Sequence, residues 1–225
     1  MGWPEILRFF RGPFLKAALL IFIGGMTYRL IRVLLLGWRR DRAKSAGSKV
    51  GGTLKAYLKS LLILPFIPWV KRTFPRNALT YIAGGLFHLS LFVVLIFGVP
   101  HMLVWKSLTK VGWPTLPTPV VDWAAAVGIA AMVMLFINRF VQPVLRLISG
   151  WPARLNWIFV FLPMVTGYMM THHMFFRYEV LFSLHMIAVD VLLIWIPFSR
   201  ISHFLFYFFA KTIHGAQAGK RGVTP

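Results

Sequence analysis

The chain alternates long apolar runs with short basic or proline-bearing breaks. Five of these runs approach the ~20 residues a helix needs to cross a bilayer. They cover about 14–36, 79–103, 123–148, 155–170 and 180–204, the fourth being the shortest. The pattern predicts an all-α membrane protein, a bundle of five transmembrane helices in a single domain over 1–214. No internal repeat is visible.

The polar intervals set an orientation. Residues 37–78 carry Arg39, Arg40, Arg42, Lys44, Lys49, Lys55, Lys59, Lys71, Arg72 and Arg76 against one acid, Asp41. Arg146 and Arg154 follow the third run; Arg200, Lys211, Lys220 and Arg221 lie at or beyond the end of the fifth. The opposite loops hold only Lys106 and Lys110, and Arg177 with Glu179. Cytoplasmic loops collect Lys and Arg, so the N-terminus is expected outside and the C-terminus in the cytoplasm. Within the basic linker 37–78, residues 53–70 mix lysines with leucines and are broken by Pro65 and Pro68. This amphipathic segment is expected to lie in the cytoplasmic interface between helices one and two, lysines out and leucines in. It would be a docking shelf for a cytoplasmic partner or a plain anchor. The tail 215–225 is small, polar and basic, and is expected to be disordered.

Composition agrees. Hydrophobic residues make up 58% of the 225, above the 45–50% usual in soluble domains. The net charge of +20 would suggest nucleic acid in a soluble protein. Here the positive-inside rule accounts for it, and no nucleic-acid partner is expected. The absence of cysteine removes disulfides, thiolate-ligated or covalently attached haem, and cysteine-held Fe–S clusters from this chain. Glu5 and the lack of a small-residue cleavage site argue against a cleaved signal peptide.

Histidine is the chemistry left. His185 and His203 are eighteen residues apart on the fifth run. Five turns of one helix would put both rings on the same stripe, roughly 27 Å apart, close to the hydrocarbon thickness. His88 and His101 lie on the second run, which is antiparallel to the fifth. His88 and His203 then fall toward the cytoplasmic side, His101 and His185 toward the outer side. Two bis-histidine sites at two depths would suit two b-type haems, because neutral imidazole is an ordinary axial ligand. The thirteen-residue spacing of His88 and His101, roughly 20 Å, fits less well, and kinks at Pro100 and Pro197 would have to absorb the difference. His172 or His173 could replace His101 as outer ligand. Each histidine could instead bridge helices by a hydrogen bond. Asp190, the one acid deep in a span, could hydrogen-bond a histidine, carry protons, or pair with a neighbouring polar group. Arg29 and Arg139 read more readily as snorkelling cations. His172, His173 and Tyr168 could bind a quinol headgroup and take its protons.

The segment Arg177 to His203, with Ile-Pro-Phe-Ser-Arg-Ile-Ser-His at 196–203, resembles the last helix of the respiratory nitrate reductase gamma subunit. Leu86-Phe-His-Leu-Ser at 86–90 resembles the start of that family's second helix. The wider family includes membrane cytochromes of dissimilatory sulfite-reduction and heterodisulfide reductase complexes. The resemblance implies a membrane-anchoring cytochrome b with two haems, exchanging electrons with menaquinone or ubiquinone in a bacterial or archaeal plasma membrane. It implies that His88 and His203 hold the inner haem and His185 the outer one, with Arg200 placed to pair with a propionate. The nitrate reductase subunit has its second histidine ten residues after the first, which here is Gly98. The thirteen-residue spacing and Thr166-Gly-Tyr-Met-Met-Thr-His-His at 166–173 look more like the sulfite-reduction branch. That branch implies a cytoplasmic Fe–S partner similar to the heterodisulfide reductase catalytic subunit. The alternatives are a haem-free transporter with a histidine and aspartate proton relay, or a structural anchor. A reporter fused to the C-terminus should be active only on the cytoplasmic side, and activity on the outer face would reverse the orientation.

Overall fold

The computed structural model describes residues 2–36, 44–63, 67, 69 and 74–223. Much of the linker 37–78, including Arg39, Arg40, Asp41, Arg42, Lys71, Arg72 and both prolines of the amphipathic segment, lies outside them. Among the described residues the chain is all-helical. In order the helices are α1 (Trp3–Phe9), a π-helical stretch (Phe10–Phe14), α2 (Leu15–Leu34), α3 (Lys49–Tyr57) running into a second π-helical stretch (Leu58–Ile63), and α4 (Phe74–Phe97). Then come α5 (Val99–Thr109), α6 (Thr118–Val141), α7 (Pro143–Ile148), α8 (Trp151–Thr171), α9 (Tyr178–Trp195), two 3-10 turns (Ile196–Phe198, Arg200–Ser202) and α10 (His203–Lys220).

Among the described residues, four helical stretches are long and apolar enough to cross a membrane: Trp3–Leu34, Phe74–Phe97, Thr118–Val141 and Tyr178–Phe198. They carry large apolar side chains outward, among them Leu20 at 72% exposure and Phe92 at 55%. Water would not tolerate that continuous surface and lipid would, so the chain is a multi-pass membrane protein. The expected span at 155–170 is present as α8, yet α8 is not apolar enough to count among the four.

Three expected helices are broken. The third run, expected over 123–148, ends as α6 at Val141, where Gln142 is extended (φ −79, ψ 117) before Pro143 opens α7. The second run is not one helix over 79–103. Gly98 is extended (φ −71, ψ 128) and separates α4 from α5. Pro100 has no N–H, so the Ile96 carbonyl one turn earlier loses its helical donor. The Trp113 indole supplies it instead at 2.6 Å. The Leu116 N–H likewise donates to the Phe97 carbonyl at 3.1 Å. The proline-stiffened loop after α5 therefore caps α4.

The fifth run is not one helix over 180–204 either. α9 ends at Trp195, Pro197 follows in a 3-10 turn, and Ser199 is extended (φ −123, ψ 175). The five-turn stripe from His185 to His203 therefore does not form. The cause is again proline, aided by Ser199, whose Oγ accepts the Ile201 N–H at 3.2 Å.

The chain divides into two compact units, one of residues 1–19 and 77–194, the other of 20–76 and 195–225. In the first, α4, α6 and α8 meet at small residues: a side chain on Gly128 would strike Ser90 and Met164. Asn138 donates to Thr80 Oγ1 at 3.0 Å, and Trp157 donates to the Met132 carbonyl at 2.8 Å while stacking between Phe136 and Phe161. In membranes such close approach and interhelical hydrogen bonding replace the missing hydrophobic drive.

In the second unit α3 lies along α10. Gly52 and Ala56 are buried against Gly215 and Gly219, so the packed face of this segment is its small-residue stripe. Leu54 and Leu58 are exposed on the rest of the segment, as are Lys55 and Lys59. The Tyr57 hydroxyl donates to the Phe208 carbonyl at 2.8 Å. The Ala46 N–H donates to the Lys220 carbonyl at 2.7 Å. Residues 215–220, expected to be disordered, are the last turns of α10, because their glycines and alanines are what α3 packs against. A Cβ at Gly52 would fall on the backbone of Gly215 and Gly219, which cannot yield as a side chain can. Gly52→Leu should therefore lower the thermal midpoint, at a cost of at least about 1–3 kcal/mol. Gly51→Leu, where a Cβ meets only the Ser48 side chain, should leave it nearly unchanged. Equal midpoints would mean that α3 and α10 do not pack this closely.

Candidate functional site

The break at Gly98 turns α5 so that His101 meets His185 of α9 within the first unit. Their ring centres are 6.4 Å apart, with the planes tilted by 52°. Two imidazoles bound on opposite sides of one metal by bonds of about 2 Å would place their ring centres about 6 Å apart. The observed separation is of that size.

Each ring is held from behind. His101 Nδ1 donates to the Val94 carbonyl at 2.9 Å, a carbonyl that also accepts the Gly98 N–H. His185 Nδ1 donates to the Pro163 carbonyl at 3.0 Å and lies 3.2 Å from Thr166 Oγ1. A carbonyl can only accept, so Nδ1 carries the proton and the lone pair resides on Nε2. This is the backing that metal-bound histidines usually have. α8 comes against the same ring at Gly167, where a Cβ would approach His185 Cε1 to 3.1 Å. Thr166 and Gly167 belong to the 166–173 stretch noted in the sequence, but their place behind His185 was not legible there.

The other two ligand candidates fall in different units: His88 on α4 in the first, His203 at the start of α10 in the second. Both are exposed within the chain. Both repeat the local chemistry, since His88 Nδ1 donates to the Gly84 carbonyl at 2.7 Å and His203 Nδ1 to the Arg200 carbonyl at 3.1 Å. Arg200 is exposed, one turn before His203. Among the described residues no group of three or more His, Cys, Asp or Glu gathers as a protein-only metal cage. A porphyrin supplies four of its iron's ligands itself, so a haem would ask only two histidines of the chain.

Tyr168 and His172 stack at the end of α8, ring centres 4.2 Å apart. His172 Nδ1 donates to the Tyr168 carbonyl at 3.0 Å, and its Nε2 lies 4.0 Å from Asp122 of α6. His173 has left-handed backbone (φ 50), and its ring lies 5.8 Å from that of Tyr178. Tyr168 directly follows Gly167, so this polar cluster begins one residue beyond the contact with His185.

Arg29 differs from its expected role, and Asp190 lacks two of its three expected ones. Arg29 is not a snorkelling cation. Its Nη1 donates to the carbonyls of Pro197 and Ser199, both at 2.9 Å, and to Ser202 Oγ at 2.6 Å. Its guanidinium also sits 5.1 Å from the Phe206 ring centre. The sequence signal was available as an arginine inside an apolar run and a proline break elsewhere, but nothing linear connects them. Asp190 is fully buried, and neither carboxyl oxygen has a hydrogen-bond partner among the described residues. It neither binds a histidine nor pairs with a neighbouring polar group. A buried polar group left unsatisfied costs about 1–3 kcal/mol. Asp190→Leu is accordingly expected to raise the thermal midpoint of the detergent-solubilised protein. A lowered midpoint would mean that the carboxyl makes a stabilising contact.

No family model matches the chain, and no solved structure matches it. It is similar to a protein of Nitratidesulfovibrio vulgaris (strain Hildenborough) that is named only "Protein". The two are 28% identical over 222 residues, covering 95% of this chain and 94% of that one.

Proposed function

We propose that this protein is a membrane-anchoring cytochrome b with two haems. In this reading it passes electrons between a menaquinone or ubiquinone pool and a cytoplasmic Fe–S subunit in a bacterial or archaeal plasma membrane. The observation that carries the reading is the His101–His185 pair. Its separation is one at which both histidines could hold the same haem iron, and both Nδ1 atoms are committed to backbone carbonyls.

Bound haem would supply one-electron chemistry, which the side chains of this cysteine-free chain do not. His101 and His185 would hold one haem, and His88 and His203 the other. The carbonyls behind the rings fix their tautomer and raise their basicity. Gly167 keeps α8 against His185 without a side chain in between. Arg200 would pair with a propionate, a task suited to its planar fork. Tyr168, His172 and His173 would receive the quinol headgroup. There His172, with Asp122 beside it, would take a proton from the quinol. The basic loops favour a cytoplasmic C-terminus and hence a partner on that side. The subunit resemblance supports the Fe–S identity of that partner, similar to the heterodisulfide reductase catalytic subunit.

The alternative is a haem-free transporter or anchor. Asp190, buried and unpartnered, is the observation in favour of a proton relay. A dithionite-reduced minus oxidised spectrum with pyridine haemochrome quantitation separates the two. About two b haems per chain are expected from protein expressed with adequate haem. His101→Ala and His185→Ala should each lose one haem, and the double variant should lose no more than either. His88→Ala should lose the other. No Soret or α band would overturn the cytochrome reading.

A further inference from the structure

The first unit also carries three arginines that the electron path does not use. Arg139 from α6, Arg146 from α7 and Arg154 from α8 line one open cleft at the surface, together with Phe136, Phe140 and Ser149. None has a carboxylate within 4.0 Å among the described residues, and no acidic residue lines the cleft. What they touch is uncharged: Arg139 Nη1 reaches the Ala153 carbonyl at 3.4 Å, and the Arg154 guanidinium lies 5.7 Å from the Phe140 ring centre. Three like charges drawn together repel one another unless an anion joins them. Guanidinium groups favour phosphate, which they bind with paired N–H donors.

The surface beside the cleft indicates which phosphate. α7 has only six residues, and three of its apolar side chains are exposed: Leu147 at 86%, with Val144 and Ile148, while Leu145 is half-buried. Trp151, at the start of α8, is 66% exposed. Such a surface suits acyl chains, with tryptophan at the level of the headgroups. A soluble anion would have no use for it. The helices meeting here include the membrane-crossing stretch Thr118–Val141, whose end the cleft adjoins.

We propose that this cleft binds the phosphate of an anionic phospholipid, with the acyl chains lying along α7. Arg139, Arg146 and Arg154 hold the phosphodiester, and Phe140 flanks Arg154. The site would pin one end of α6, α7 and α8 to the acidic leaflet, where each basic residue strengthens the attraction. It does not depend on the haem assignment.

The test is native mass spectrometry of the full chain in mild detergent, titrated with phosphatidylglycerol or phosphatidylcholine. Arg146→Gln/Arg154→Gln should weaken phosphatidylglycerol binding by about tenfold or more and leave phosphatidylcholine unaffected. Lys106→Gln/Lys110→Gln removes the same charge elsewhere in the unit and should bind phosphatidylglycerol like the parent. If the arginine pair destabilises the fold, Arg146→Gln alone, at an exposed position, carries the test. Equal phosphatidylglycerol binding by the arginine and lysine variants would overturn the site. Displacement of phosphatidylglycerol by millimolar inorganic phosphate would assign the cleft to a soluble anion and overturn the lipid.

Discussion

A backbone that leaves its helix inside an apolar phase must find new partners for the N–H and C=O groups it frees, since no water is present to take them. Two breaks in the apolar runs of this chain, at Gly98–Pro100 and at Pro197–Ser199, are paired from within the protein. The first is closed by the Trp113 indole and the Leu116 N–H, with His101 sharing the Val94 carbonyl. The second is closed by Arg29, which gathers two carbonyls and a serine hydroxyl. The tolerance for proline in these runs follows from those partners.

The same pairing gives the histidines their chemistry. An imidazole that donates Nδ1–H to a carbonyl presents Nε2 as a base or ligand, and all four ligand candidates are held this way. The break at Gly98 is what turns His101 toward His185. On an unbroken helix, thirteen residues would have left His88 and His101 on different faces. The proline-linked irregularity therefore serves the site, and backbone satisfaction and site geometry have one origin.

Packing follows the rule of small residues. Gly52 with Gly215 and Gly219, and Gly128 with Ser90, let helices approach where larger side chains would hold them apart. Large apolar residues are left on the outside, as they can be only where lipid covers them. Charge follows a related logic: with 25 basic residues against 5 acidic ones, Arg29 and Arg139 reach carbonyls, and Arg154 an aromatic face, rather than carboxylates.

The sequence by itself determined the membrane class, the helical composition and the candidate histidines, because a bilayer demands long apolar runs and makes any intramembrane polar residue conspicuous. It also marked Pro100 and Pro197 as kinks. It did not show that these kinks are full breaks, since proline in a membrane helix bends or interrupts it according to what is near enough to take the freed carbonyls. It misjudged residues 215–220, reading a disordered tail where glycine stripes pack α10 on α3, and it did not show the glycine stripe of α3. A glycine's value as a contact surface exists only once the second helix is beside it. That His101 faces His185, that Arg29 clasps 197–202 and that Asp190 has no partner are likewise tertiary facts. Each joins residues separated by tens of positions or more, or depends on what surrounds one side chain, and no periodicity along the chain encodes that.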